Sequence, residues 1–225
     1  MKFFMEDTTS AEVDNIMALL KSYMDGEISQ QMRKSGLDYK LNFGVSMHWL
    51  RKIAAKYKNK QNLAERLWHR EARETMILAT MIADVSLLKS EKIEEWFTMV
   101  KTNELAEQFG VNLLSRADNY KSLSQEFIHS DDVYKQAAGW CSLSIFLKNS
   151  ELENVASLVN DAFININQDS VFLQRTKGRF LRAACRHSKD LLDSIEAQLN
   201  LVKDDKKLAF LVQELRAEID FMRES

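Results

Sequence analysis

Glu104 and Glu107 stand three residues apart in the run VKTNELAEQFG (Val100 to Gly110), so the first question is whether these carboxylates do chemistry or only face solvent. Thr102 suits an N-cap, which puts Glu104 in the first turn of a helix, where the dipole favours a carboxylate and Lys101 can offset it. Glu107 lies one turn further in. It shares a stripe with Asn103, Gly110 and Leu114, beside the apolar residues Leu105, Phe109 and Leu113. Glu107 is thus the catalytic candidate. Gly110 leaves space below it that suits a ligand or a helix-packing contact equally well.

A second constellation is basic. The run from Arg175 to Lys189 holds six Lys or Arg and no acid, and Arg175, Arg179, Arg182, Arg186 and Lys189 step by four, three, four and three. On one helix these five form a single stripe beside Phe172, Leu173, Phe180 and Ala184. Like charges on a helix face repel, so such a stripe fits a negative partner such as the phosphates of a duplex. The alternative is pairing with acids of neighbouring helices, for which Asp161, Asp193 and Glu196 are candidates. A further group, Arg51, Lys52, Lys56, Lys58 and Lys60, has Glu65, Glu71 and Glu74 close in sequence and reads as a solvated helix end.

Other chemistries find no support. His48, His69, His129 and His187 have no metal-ligand spacing and neither cysteine has a nearby partner, so no metal site is expected. No dinucleotide, P-loop or hydrolase-nucleophile motif occurs, and no cofactor is expected. The formal net charge is −2, from 31 basic and 33 acidic residues, so a polyanion would have to meet a local patch. Cys141 and Cys185 read as reduced, buried thiols of a cytoplasmic protein. No window approaches the roughly 18 apolar residues of a membrane span, and no membrane partner is expected. Trp49, Trp68, Trp96 and Trp140 lie on apolar helical faces and are expected in the core.

The elements that position these residues are helices. Proline is absent and glycine occurs only six times, whereas an ordinary chain carries about 5% and 7% of these. Apolar residues recur at steps of three and four, as in Leu152, Val155, Val159, Ala162 and Ile166, and in Leu208, Leu211, Leu215, Ile219 and Met222. Helix-start signals fall at Thr9, Ser46, Ser90, Thr102, Asp131, Ser150, Ser170, Ser188 and Asp204. They predict about eleven or twelve helices. The segment Tyr39–Val45 alternates like a strand but has no evident pairing partner. Helix pairs at a spacing of roughly 35 to 45 residues predict an all-α, superhelical solenoid of antiparallel HEAT-like or armadillo-like pairs. Residues 9–225 are expected to form one domain, after a loose tail over residues 1–8, and the protein is expected to be a monomer.

The runs LDYKLNFGVSMHWLRKIAAKY and LAERLWHREARETMILATMIAD resemble the DNA alkylation repair family of HEAT-like repeat proteins. The matching residues are Gly44, Val45, Leu50, Arg51, Ile53 and Ala54, then Leu67, Trp68, Glu74, Leu78 and Ala79; VYKQAAGW and LQRTKGRFLR add to them. The resemblance implies duplex DNA as partner. It also implies a possible DNA glycosylase activity on cationic N3- and N7-alkylated purines, in which a carboxylate and two tryptophan faces stabilise developing positive charge. The family's W-D-x-x-D falls on Asn103 to Glu107, so Glu107 stands at the catalytic aspartate and Asn103 at the first tryptophan. Arg179 stands at the second tryptophan and Gln136 at an arginine. With both tryptophans replaced, the resemblance equally implies a helical-repeat protein that binds DNA, or a protein partner, without catalysis.

Overall fold

The computed structural model describes residues 8–149 and 152–224. Among them are thirteen α-helices and, in place of strands, one isolated bridge. The start signal at Ser150 and all but the last residue of the expected tail lie outside the described residues. Packing divides the chain into two compact units that meet in sequence at Leu113 and Leu114.

The first unit holds α1 (Thr8–Ser22), α2 (Gly26–Lys34), α3 (Met47–Ala54), α4 (Gln61–Trp68), α5 (Arg73–Ile82), α6 (Ser90–Phe97) and α7 (Asn103–Asn112). Nine of the ten residues of α5 are buried, because α3, α4 and α7 all pack against it. Burial of each Leu or Ile there contributes about 1.5–3 kcal/mol relative to exposure. Trp68 stacks on Trp96 at 4.8 Å, and Phe109 of α7 meets Trp68 edge-on at 5.8 Å. This aromatic cluster joins α4, α6 and α7.

Trp49 departs from the expectation of a core residue. It is half-buried and stacks on Tyr23 at 4.1 Å, with the Lys52 ammonium 4.5 Å above the indole. The stretch Tyr39–Val45 also has a partner after all. Leu41 forms a parallel bridge with Ala72, and the Arg73 N–H donates to the Leu41 carbonyl at 2.8 Å. At the end of this stretch Gly44 adopts a φ of +71°, and a Cβ there would lie 2.1 Å from the Asp25 carbonyl oxygen. Only glycine fits both demands. Asp25 in turn caps α2, accepting from the N–H groups of Glu27 and Ile28 at 3.0 Å each.

In the second unit two 3₁₀ turns lead into α8 (Lys121–Ile128) and α9 (Val133–Asn149), followed by α10 (Val155–Phe163), α11 (Val171–Cys185), α12 (Lys189–Val202) and α13 (Ala209–Glu224). Consecutive helices pair as α8 with α9, α10 with α11 and α12 with α13. The second members stack in the order α9, α11, α13, and α10 packs on α12. That two-layer arrangement is the HEAT-like repeat anticipated from the helical period. Gly139 lets α9 close on α8: a Cβ there would sit 2.7 Å from the Ser124 carbonyl oxygen and 2.8 Å from Ile128 Cγ2.

Helix starts follow local chemistry. Ser170 and Ser188 cap α11 and α12 by accepting from Leu173 N–H and Leu191 N–H at 3.3 Å. Ser46 caps α3 in extended conformation without a side-chain hydrogen bond. The signals at Ser90, Asp131 and Asp204 are displaced: Ser90 is the first helical residue, Asp132 receives the Tyr134 N–H, and Asp205 caps the 3₁₀ turn Lys206–Leu208.

Candidate functional site

The two carboxylates of α7 separate as a helix projection predicts, but for a different reason. Thr102 is the N-cap, accepting from the Leu105 N–H at 3.2 Å. Glu104 is not offset by Lys101. Arg73 binds it with two hydrogen bonds, Nε to Oε2 at 2.8 Å and Nη2 to Oε1 at 2.6 Å. Tyr39 Oη donates to Glu104 Oε2 at 3.1 Å and accepts from Thr102 Oγ1 at 2.7 Å.

Arg73 also donates to Glu74 at 2.9 Å, and Glu74 accepts from the Phe43 and Val45 N–H groups at 3.0 and 3.1 Å. Arg73 is 1% exposed and Glu74 is fully buried. Burial disfavours the charge on Arg73, but the hydrogen bonds and charge of Glu104 outweigh it and hold the pKa above its ordinary value. Burial, followed by the charge of Glu104, pushes the Tyr39 phenol up. This network ties the Tyr39–Val45 stretch to α5 and α7, so Glu104 is committed to structure.

Glu107 is half-buried and Asn103 exposed, one turn apart on α7. The apolar side of the same helix is closed: Leu105, Ala106 and Phe109 are almost entirely buried. Glu107 is therefore a border residue, and Phe109, the aromatic residue of the same helix, is buried.

In the second unit the basic run is not one helix. Arg175, Arg179 and Arg182 lie on α11, Arg186 is its C-cap, and Lys189 begins α12. Lys177 is turned inward, donating to Asp169 at 2.6 Å and to the Ile164 carbonyl at 3.2 Å. The acids that meet the stripe are not those expected. Arg182 pairs with Glu214, and Arg186 binds Glu218 through Nε and Nη2 at 2.5 and 2.8 Å. The Glu218 hydrogen bonds raise the Arg186 pKa.

The expected acids are engaged elsewhere. Asp193 and Glu196 take Arg223, and Asp161 lies 3.8 Å from His129. Sequence carries a signal for Glu214 and Glu218: they stand four apart beside the apolar stripe of the last helix, the same spacing as Arg182 and Arg186.

Arg175 is exposed and its guanidinium lies 5.4 Å from the centre of the Phe210 ring. Arg179 is half-buried and has no ion pair among the described residues. Lys189 is likewise unpaired there; with Arg186 it lines a cavity of 370 Å³ that also holds Cys185, Ser188, Met222 and Arg223. Both arginines of that cavity are already balanced by carboxylates, so it offers an anion little net charge. Gln136 on α9 spends its amide on the Ser130 carbonyl at 2.8 Å.

The fold is that of a helical-repeat protein, and on α11 the cations without an ion pair among the described residues are Arg175 and Arg179. The family profile described as DNA alkylation repair enzyme matches residues 16–196, and the chain belongs to that family. A solved structure described as "a new family of proteins related to the HEAT-like repeat DNA glycosylases with affinity for branched DNA structures" is similar with a TM-score of 0.78. It shares 21% identity, over 94% of this chain and 95% of that one, which shows a common fold. No curated protein sequence matches.

Proposed function

We propose that this chain binds DNA through the Arg175 and Arg179 end of α11 and does not excise cationic alkylpurines. One observation carries the reading. Glu214 and Glu218 neutralise Arg182 and Arg186, whereas Arg175 and Arg179 keep their charge without an acid among the described residues. Such cations suit phosphate oxygens. Arg179 also stands where the family resemblance puts an aromatic wall, and a fixed guanidinium repels a cationic transition state. The solved relative's affinity for branched DNA structures supports DNA as the ligand class.

Binding to a labelled duplex is expected to weaken with salt at a log–log slope of about −0.9 per phosphate neutralised. Arg175→Ala and Arg179→Ala should each reduce that slope by about one. Salt-insensitive binding, or none, overturns the reading.

A second reading keeps the glycosylase. It is favoured by Glu107, a half-buried carboxylate on the helix turn where the family's catalytic aspartate falls. Glutamate carries the charge one methylene further out than aspartate, and a misplacement of about 1 Å costs roughly a hundredfold in rate. Release of methylated bases from alkylated duplex, abolished by Glu107→Gln, would establish this reading in place of the first.

A further inference from the structure

We propose that Phe210 is a stacking contact for an unpaired nucleobase, flanked by Arg175 and Arg179 as phosphate ligands. The inference rests on the DNA-binding reading and names the feature of DNA that this surface selects.

The argument starts from a ladder between two helices. Arg175 meets Phe210, Arg182 meets Glu214 and Arg186 meets Glu218, so the numbers rise together and α11 and α13 run parallel. Gly178 permits the close approach: a Cβ there would lie 2.6 Å from Leu211 Cδ1. On α13 the rungs are four residues apart, at 210, 214 and 218. Two rungs are acids and end the arginine's availability. The third is a ring, which holds the Arg175 guanidinium by cation–π attraction yet leaves its charge and donors free.

Phe210 is 51% exposed, although it sits on a helix whose Leu211, Leu215 and Ile219 are buried. An exposed aromatic ring beside free cations differs from an isolated surface phenylalanine because both halves of a nucleotide are provided for. Arg179 lies one turn beyond Arg175 on α11, and Lys206 and Lys207 stand exposed just ahead of α13. Asp204 and Asp205 are the nearby acids in sequence, and Asp205 is engaged in capping the Lys207 N–H at 2.9 Å. The phosphate backbone is thus met by cations and the base by a π-face, the combination used for single-stranded nucleic acid. Bases inside an intact duplex are stacked on one another. A face for Phe210 is available only at ends, bulges, junctions or gaps.

The test compares two DNAs that share one fluorescent strand, one annealed to its full complement and one to a complement shortened internally so that a bulge is left unpaired, by anisotropy at fixed salt. The wild-type chain is expected to bind the bulged DNA more tightly. Phe210→Ala should weaken binding to the bulged DNA by about 5- to 100-fold while leaving the paired duplex nearly unchanged. Phe210→Trp should keep the preference, and Phe210→Leu, which is apolar without a π-face, should lose it. The proposal is overturned if Phe210→Leu retains the preference, or if Phe210→Ala weakens both DNAs equally. It is overturned in favour of a protein occupant if Phe210→Ala changes only self-association in sedimentation. Failure to bind either DNA sinks the DNA-binding reading itself. Salt-dependent binding that is indifferent to residue 210 sinks this inference alone.

Discussion

Arg73 grips Glu104 through Nε and Nη2 at 2.8 and 2.6 Å, and its remaining terminal nitrogen reaches Glu74 at 2.9 Å. One guanidinium therefore balances two carboxylates, of which Glu74 is fully buried. Replacing Arg73 with Met leaves the buried Glu74 carboxylate without its cation and Glu104 without its two hydrogen bonds from Arg73. The expected loss is about 3–5 kcal/mol, or roughly 6–20 °C in Tm, read from urea and thermal unfolding. Glu104→Gln should cost less, since the Glu104 side chain is 20% exposed and its amide can still accept from Arg73.

Arg179 and Arg186 belong to the same run of five cations, but Arg186 binds Glu218 and Arg179 has no ion pair among the described residues. Arg186→Ala strips the partner from Glu218, which is 8% exposed, and is expected to cost about 1–3 kcal/mol of stability with little change in DNA affinity. Arg179→Ala removes an unpaired cation. It should leave the unfolding free energy within about 0.5 kcal/mol of wild type and lower DNA affinity. Parallel denaturant and anisotropy titrations of the two variants read the contrast, and the reverse pattern would contradict the assignment.

Gly139→Ala should destabilise, although Gly to Ala inside a helix ordinarily gains up to about 1 kcal/mol. The new methyl would press on the Ser124 carbonyl at 2.7 Å and on the Ile128 N–H at 3.0 Å, both backbone atoms of α8. Helix separation would have to grow, at about 1–3 kcal/mol. A variant as stable as the wild type in urea would show that α8 and α9 yield easily.

Cys185 supplies a pH test. Burial, then the charge of Glu218, pushes its thiol up to about 12 from an ordinary 9.0. The folded chain keeps a proton that the unfolded chain releases between those values, so stability falls as pH rises through the window. The contribution is fully present below about pH 9 and gone above about pH 12. Urea midpoints measured across this range should drop more steeply for the wild type than for Cys185→Ala.

Much of the helix pattern was legible because it depends on near neighbours. The three-and-four period and caps such as Thr102, Ser170 and Ser188 act within one or two turns, and they placed α7, α11 and α12 closely. What sequence reading missed depends on residues far apart in the chain. Glu104 reads in sequence as a dipole charge, whereas Arg73, 31 positions earlier, lies against it. The acids that meet Arg182 and Arg186 lie 32 positions away on α13, whereas Asp161, Asp193 and Glu196, nearer in sequence, are engaged elsewhere. Trp49 read as core because periodicity reports a face and not its cover; Tyr23 and Lys52 cover it only in part. The Tyr39–Val45 stretch lacked a strand partner because its neighbour is a single residue, Ala72, ahead of a helix.

The rungs of α13 have a consequence for how such a surface changes over time. Phe210, Glu214 and Glu218 act as a mask laid along α11, and each position of the mask sets whether the arginine beneath it is open or shut. If α11 meets DNA as proposed, a substitution of Glu214 by a neutral residue is expected to add Arg182 to the available cations with no edit to α11 itself. On that reading the charge that α11 presents is adjustable from α13, one residue at a time.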